Sequence, residues 1–321
     1  GGGEMGGPAL ERGLEAPAGF VEAGPGSSGR PEGAPGARDV VEGRAGGVLG
    51  RGAILKNDHF PGCQNLKLRP LLDGAPNFRG VPGLPVYGVG VPTAAGLRAA
   101  LDELVGPERG RPVLWHNMRE EPLLYINGSP FVVREAERPF ANLEYSGIDR
   151  GRVEGMEARL KQDVLAEASL YGNAIMVSGE TDGGDLVELW EAVTPVDVQT
   201  PREVFQELAE YGYSVDYLRI PVTDERAPDR DDCDTIVLRS WDAPEDAVLV
   251  FNCQMGRGRT STGMVIATMA LVRRAGLRGQ EALLPPWALA HMATWEEGGL
   301  SPSGAGSEPL SPERARADSS D

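Results

Sequence analysis

The stretch VLVFNCQMGRGRTSTGMVIATMALVRRA, residues 248–275, decides the fold. Val248, Leu249, Val250 and Phe251 form a short apolar run that reads as a buried strand. A turn follows from Cys253 to Thr260, and then a long apolar-faced segment in which Val265, Met269 and Val272 recur at helical spacing. Arg273, Arg274 and Gly276 read as its stop, since basic residues in a last turn followed by glycine end helices. A cysteine therefore ends a strand, and the loop after it feeds a helix N-terminus. Gln254, Met255, Gly256, Arg257 and Gly258 separate Cys253 from Arg259. A loop of that length can curl with its amides inward, and Gly256 and Gly258 permit the backbone angles of such a nest. The helix adds its partial positive charge and Arg259 a bidentate fork, so the parts make an anion cradle. The same cations favour the thiolate, which is the nucleophilic form of cysteine. Thr260 is expected to donate its hydroxyl to that sulfur.

Outward from this stretch, elements follow in order. Leu84 to Val91 reads as a strand ended by Pro92, and Thr93 caps a helix bearing Leu97, Leu101, Leu104 and Val105, stopped by Gly106-Pro107. Val113-Leu114-Trp115 is a second buried strand, followed by a hairpin turning at Asn127-Gly128. Arg152 to Leu170 patterns as a helix with Met156, Leu160 and Val164 on one face and Glu157, Arg159 and Lys161 on the others. Strands are expected at 173–178 and 186–192. Thr200-Pro201-Arg202-Glu203 is a capping box with proline at the first helical position. Val204, Leu208 and Tyr211 give that helix its buried face, Gly212 ends it, and Val215 to Val222 is a strand. A short helix is expected near Trp287 to Trp295. The pattern is α/β, a central mostly parallel sheet flanked by helices, with the cysteine loop between a strand and a helix.

The chain has 321 residues and is 40% hydrophobic, enough for one large core. Its 44 glycines are unevenly placed, 15 of them in the first 47 positions, where no apolar periodicity survives. Residues 1–47 are thus expected to be a disordered tail, 48–296 the folded domain, and 297–321 a disordered acidic Ser/Pro tail. The net charge of −17 leaves about −10 on the body once both tails are removed, which argues against a nucleic-acid surface. An acidic protein that binds anions must gather positive potential locally, as the Cys253 loop would. Cys63, Cys233 and Cys253 make no disulfide framework, and no apolar run is long enough for a membrane span. With no signal-peptide pattern at the start, a cytoplasmic location follows by default. His59, His116 and His291 lack ligand spacing, so no metal site is expected.

Cys253-x5-Arg259-Thr260 resembles the signature loop of the cysteine-dependent, tyrosine-phosphatase superfamily. NCQMGRGRTSTGMV, with APNFR at 75–79 and the block from Asn117 through Asn127-Gly128, is similar to the paladin family and through it to the cysteine phytases that act on inositol phosphates. The resemblance covers roughly Val48 to Gly276. It implies a protein-tyrosine-phosphatase-like fold and hydrolysis of phosphomonoesters through a phosphocysteine, with no metal or organic cofactor. Cys253, Arg259, Asp224 and Thr260 would be the catalytic set, and Gln254, Met255, Gly256, Arg257 and Gly258 would bind substrate. Asp224 enters as general acid because the Thr223-Asp224 pair matches the mobile acid loop of the phytase-type members. Glu225 is the neighbouring alternative, while Asp229, Asp231, Asp232 and Asp234 read as a solvated helix N-terminus. Arg119 and Glu120 read as structural rather than catalytic. Asn252 stands where the superfamily usually has histidine, which keeps a binding-only pseudophosphatase as the alternative. A thiol redox role ranks last, because no CxxC accompanies Cys253. Implied partners are a phosphorylated small molecule, a lipid head group or a phosphoprotein.

Overall fold

The computed structural model describes residues 27–58, 70–106, 109–181 and 184–297. Residues 298–321 of the tail expected at 297–321, residues 1–26 of the other tail, and His59 and Cys63 lie outside the described residues, while Glu297 is the last residue of a helix. The elements are β1 (Ser27–Ser28), α1 (Ala37–Gly43), β2 (Ala53–Asn57), β3 (Arg79–Gly80), β4 (Val86–Val89), α2 (Ala94–Val105), β5 (Val113–Arg119), β6 (Leu123–Ile126), β7 (Ser129–Glu135) and α3 (Arg150–Leu170). They continue with β8 (Ala174–Glu180), β9 (Leu186–Ala192), β10 (Val198–Gln199), α4 (Pro201–Glu210), β11 (Val215–Val222), α5 (Arg230–Asp242), β12 (Val248–Asn252), α6 (Gly258–Leu277) and α7 (Pro286–Glu297).

A five-stranded sheet in the order β11-β5-β12-β4-β3 is the expected central sheet. β11, β5, β12 and β4 run parallel, and only β3 is antiparallel. Its strands are covered on both faces, which is why β12 reads as an unbroken apolar run. Val248 and Val250 join a core with α2 and α4 (Leu97, Leu101, Val204, Leu208). Leu249 and Phe251 point the other way, into a core with α5 and α6 (Ile236, Met264, Ala267, Leu271). Because the strands are parallel, their carboxyl ends share one edge: Asn252 lies level with Val89 on one side and Asn117 on the other. β11 follows β5 to Arg119, with a register shift between Arg219 and Val222 where Pro221 removes a ladder donor. Such an edge is where ligands bind in parallel α/β sheets.

A second, seven-stranded sheet (β1-β9-β8-β2-β7-β6-β10) was not foreseen as a unit. It is antiparallel throughout except between β2 and β8. The Asn127-Gly128 turn that joins β6 to β7 has both residues at positive φ (48° and 75°), as a tight two-residue hairpin requires. Thr93 caps α2 by accepting from the Gly96 amide, and the Thr200–Glu203 capping box on α4 closes in both directions.

Several expectations need correction. Residues 27–47 are not a structureless tail. β1 pairs with β9, and α1 lays Val40 and Val41 against Ile54, Met176 and Trp190. Buried Arg44 ties the segment down, pairing with Glu167 at 3.0 Å and donating to the Ala53 and Met176 carbonyls. A short amphipathic DVVEGR segment suffices here because its partner surface is supplied by the second sheet. On α6 the buried face is Met264, Ala267 and Leu271, whereas Val265 and Met269 are 56% and 52% exposed. The helix also runs past Gly276 to Leu277, and the positive-φ glycine beyond it is Gly279. Arg274 does not close its own helix but donates to the carbonyls of Ser240, Trp241 and Ala243 at the end of α5. On α3, Glu157 is buried alongside Val153 and Leu160, while Met156 is only half-buried. Its carboxylate is drawn inward by Arg219 of β11.

Candidate active site

Cys253 follows β12 at the shared carboxyl edge and is 4% exposed. The loop after it is gripped from outside through its carbonyls. The Val91 amide donates to the Gln254 carbonyl (2.8 Å) and the Asn77 side chain donates to the Met255 carbonyl (2.7 Å). With those two carbonyls committed outward, the trans peptide planes turn the amides of Met255 and Gly256 the other way. Among the described residues, none of the amides of Gln254, Met255, Gly256 and Arg257 donates to a backbone carbonyl, and Ser261 is the amide that bonds back to Arg257. Gly256 sits at φ 70°, and a Cβ there would lie 2.4 Å from the Gly90 nitrogen and 2.6 Å from the Val89 carbonyl carbon. Glycine is needed here on both counts. Gly258 is different: it begins α6 with open space around it, so the expectation that it relieves strain does not hold.

The APNFR segment forms the outer wall. The Pro76 carbonyl accepts from the Gly90 amide at 2.7 Å, and Asn77 at φ 57° aims its amide at the loop. Arg79 donates to the Asn77 carbonyl and to the Ser261 hydroxyl (2.8 Å), which places a second guanidinium beside the cradle. Burial holds the Arg79 guanidinium below its usual range, with the electrostatic influence of Cys253 acting in the opposite direction. The quoted block contained this residue, but nothing in its local pattern assigned it to the loop.

Arg259 is 4% exposed. Its Nη1 donates to the Val222 carbonyl (3.1 Å) at the end of β11, and its Nε lies 3.1 Å from Asp224 Oδ1, out of line for a hydrogen bond, so that contact is electrostatic. Arg259 and Asp224 are thus brought together. Glu225 sits beside them at φ 56°, and Asp229 caps α5 by accepting from the Asp232 amide. Thr260 departs from expectation: its hydroxyl faces the Val89 carbonyl at 3.5 Å rather than the sulfur. Gln254 also turns its side chain away from the cradle, donating to Asp58 Oδ1 at 2.9 Å. Arg257 and Met255 are exposed on the rim.

Beneath the loop, Asn252 accepts from the Trp115 indole (2.8 Å), and its amide lies 3.5 Å from Asn117 Oδ1. Asn117 in turn donates to Tyr217, so a neutral network fills this position. His116, the next strand over, stacks on Phe251 with ring centroids 4.4 Å apart. Its Nδ1 meets the Val250 carbonyl at 3.0 Å and its Nε2 accepts from Arg239 at 3.1 Å, an arrangement that only the neutral Nδ1–H ring satisfies. Burial, with Arg239 adding to it, pushes this imidazole down to about 3.

Residues that sequence reasoning missed come from the second sheet. Asp58 follows β2, Glu121 lies between β5 and β6, Arg134 is on β7, and Asn142 is in the loop before α3. Arg119 pairs with both Asp58 and Glu121, and Arg134 pairs with Glu121 at 2.6 Å. Burial alone would raise the Glu121 carboxyl, but Arg119 and Arg134 outweigh it and hold it below the usual carboxylate range. Glu120 accepts from Thr223 at 2.9 Å and so braces the acid loop. A cavity of about 280 Å³ opens here, lined by Lys56, Arg134, Phe140, Asn142, Asp224 and Met255 among others.

The family model for PTP-like phytases, described by inositol hexakisphosphate, matches residues 116–271. Human paladin (Homo sapiens) is 31% identical over 233 residues, which are 66% of this chain and 26% of that protein. Paladin of Danio rerio is 30% identical over 199 residues, 61% of this chain and 22% of that protein. The chain therefore spans about a quarter of the length of the curated relatives it matches. Among solved structures, the PTP-like myo-inositol phosphatase from Mitsuokella multacida, in complex with myo-inositol-(1,3,4,5)-tetrakisphosphate, superposes with a TM-score of 0.48 at 19% identity, covering 68% of this chain and 38% of that one.

Proposed function

Given that the chain belongs with the paladins in the PTP-like phytase branch of the cysteine phosphatases, we propose that it hydrolyses phosphomonoesters through a phosphocysteine. The observations that support this reading are the loop amides from Gln254 to Arg257, which donate to no backbone carbonyl, and the Arg259–Asp224 pair. In the first step the Cys253 thiolate attacks phosphorus in line with the leaving oxygen. The equatorial oxygens lie against the loop amides and the Arg259 fork, and Asp224 supplies the proton that an alkoxide leaving group needs. In the second step water attacks the phosphocysteine, Asp224 takes its proton, and phosphate leaves with the thiolate restored. Gln254, Met255, Gly256, Arg257 and Gly258 contribute amides, and Arg257 at the rim meets further charge on the substrate. Inositol phosphates, phosphoinositide head groups and phosphotyrosine are the substrate classes. A free thiol nucleophile suits a reducing, cytoplasmic setting.

One observation favours a second reading. Asn252 places a neutral amide network under the nucleophile where the superfamily usually has histidine. A slow or silent cradle would act as a binding module for phosphorylated partners. The deciding experiment compares the wild type with Cys253→Ser on a chromogenic phosphate ester, inositol hexakisphosphate, phosphoinositides and a phosphotyrosine peptide. Turnover that disappears in Cys253→Ser while anion binding persists is the expected result. Turnover that survives the substitution refutes the phosphocysteine route, and binding without any turnover in the wild type establishes the module instead.

A further inference from the structure

One buried block of charge reaches the reaction centre by two arms. Asp58, Arg119, Glu121 and Arg134 are all at most 2% exposed, and their two negative and two positive charges cancel. Along the first arm, Asp58 Oδ1 accepts from Gln254 and so fixes the cysteine loop. Along the second, Arg134 Nη2 donates to Asn142 Oδ1 (2.8 Å), and Asn142 Nδ2 donates to Asp224 Oδ2 (2.8 Å). A guanidinium has only donors, so Arg134 determines which way round the Asn142 amide lies. The NH₂ end is left to face Asp224, with the carboxylate as acceptor. The other oxygen of that carboxylate is the one 3.1 Å from Arg259 Nε.

We propose that Asn142 is a positioning residue that aims the Asp224 carboxylate at Arg259 and thereby controls both proton delivery and the entry of the phosphoryl group. Arg259 has its Nη1 committed to the Val222 carbonyl, so the edge free for a bidentate anion is Nε with Nη2. Asp224 stands on that same Nε, and an incoming dianion must share or displace it. Asn142 holds the competing carboxylate in place, and it holds the proton donor within reach of the leaving oxygen. The binding consequence follows from the hydrogen-bond chain alone; the rate consequence rests on the phosphatase reading. Asn142 is half-buried in an irregular segment, so its truncation removes one acceptor from Arg134 but no strand pairing and none of the ion pairs of the block.

The test is a double-mutant cycle on the full chain, with tungstate affinity measured by calorimetry for the wild type, Asn142→Ala, Asp224→Ala and the double variant. Asn142→Ala should tighten tungstate several-fold in the Asp224 background and change nothing further in the Asp224→Ala background. Equal effects in both backgrounds, or none in either, overturn the proposal, because Asn142 would then not act through Asp224. A second readout uses turnover. Asn142→Ala should lower kcat on an alkyl phosphate by roughly 10- to 100-fold, less than the full contribution of a general acid (about 10²–10⁴-fold) because the acid itself remains, and leave activated aryl esters nearly unchanged. Equal losses on both ester classes count against it. Should the wild type show no turnover, the phosphatase reading falls, while the tungstate cycle still decides the role of Asn142.

Discussion

Gly256 and Gly258 lie two positions apart in the same loop and have opposite requirements. At Gly256 the backbone is left-handed and the space a Cβ would need is filled by the main chain of Val89 and Gly90, which cannot yield as a side chain would. Gly256→Ala should therefore reshape the loop and lose tungstate and phosphate binding outright, at a local cost of about 1–3 kcal/mol. Gly258→Ala meets open space on the first turn of a helix and should bind anions as the wild type does. Isothermal titration of both variants separates the two, and equal losses would mean that glycine serves flexibility rather than shape. The residues that could be read from sequence at this scale are those whose chemistry is local. Cys253, Arg259 and Gly256 declare themselves within seven positions, whereas Asp224, two positions past the end of β11, is singled out among its acidic neighbours by the family resemblance and not by local pattern. Asn142, Arg134 and Asp58 could not be read, since each gains its meaning from a partner 82, 13 or 196 positions away. Thr260 was misassigned because sequence spacing says which residues share a loop but not which lone pair a hydroxyl meets.

Among the elements, β5 and β12 carry the site, and His116 is the residue through which they sense pH. The ring is neutral in the fold because burial and Arg239 oppose a second proton, with Asp216 and the Val250 carbonyl only partly offsetting them. In the unfolded chain the same imidazole titrates near 6.5. Below that pH the unfolded state takes up a proton that the native state refuses until about pH 3, so stability contributed by neutral His116 is lost as pH falls through this window. Urea unfolding should show about 2 kcal/mol less stability at pH 5 than at pH 7.5 from this group, and His116→Gln should remove that slope. A wild-type slope that survives the substitution would assign the effect to carboxylates instead. Strand and helix positions were mostly legible because hydrophobic period, caps and glycine stops are local signals, as in α2, α4, β11 and the β6–β7 hairpin. Faces were less legible. On α6, Val265 and Met269 follow a helical period as well as Met264 and Ala267 do, and only the position of β12 and α5 decides which set is buried. α1 escaped notice because its two valines sit among glycines and prolines, and its partners Ile54, Met176 and Trp190 are remote in sequence.

At the scale of the molecule, two sheets of different kinds meet beside the carboxyl edge of the parallel one. Buried charged side chains join a shared apolar core, in which Leu123, Tyr125 and Val132 pack with Trp115 and Val250, to form the junction. The parallel sheet carries Cys253, the loop after it and the segment with Asp224, while Asp58 and Arg134 of the antiparallel sheet reach them through Gln254 and Asn142. Besides the block behind Asn142, the junction contains Arg219 of β11 paired with Glu157 of α3, both at most 1% exposed. Arg219 also donates to the Arg119 and Glu121 carbonyls, and Glu157 accepts from the Leu123 amide, so each charge is bonded on both sides of the boundary. Taking two charges out of water costs several kcal/mol per ion, which their attraction and these extra bonds offset without a large surplus. Removing one partner leaves the other buried and uncompensated. Arg219→Met alone should therefore destabilise the chain by about 3–5 kcal/mol, whereas Arg219→Met combined with Glu157→Leu should recover most of that loss. Unfolding followed by tryptophan fluorescence and by circular dichroism should stay coincident in the wild type and in the double variant, because the junction makes the two sheets one cooperative unit. In Arg219→Met the two probes should separate, the sheets parting before either melts. A double variant as unstable as the single one would mean that the guanidinium's bonds to the β5–β6 connection, and not the uncompensated carboxylate, hold the halves together.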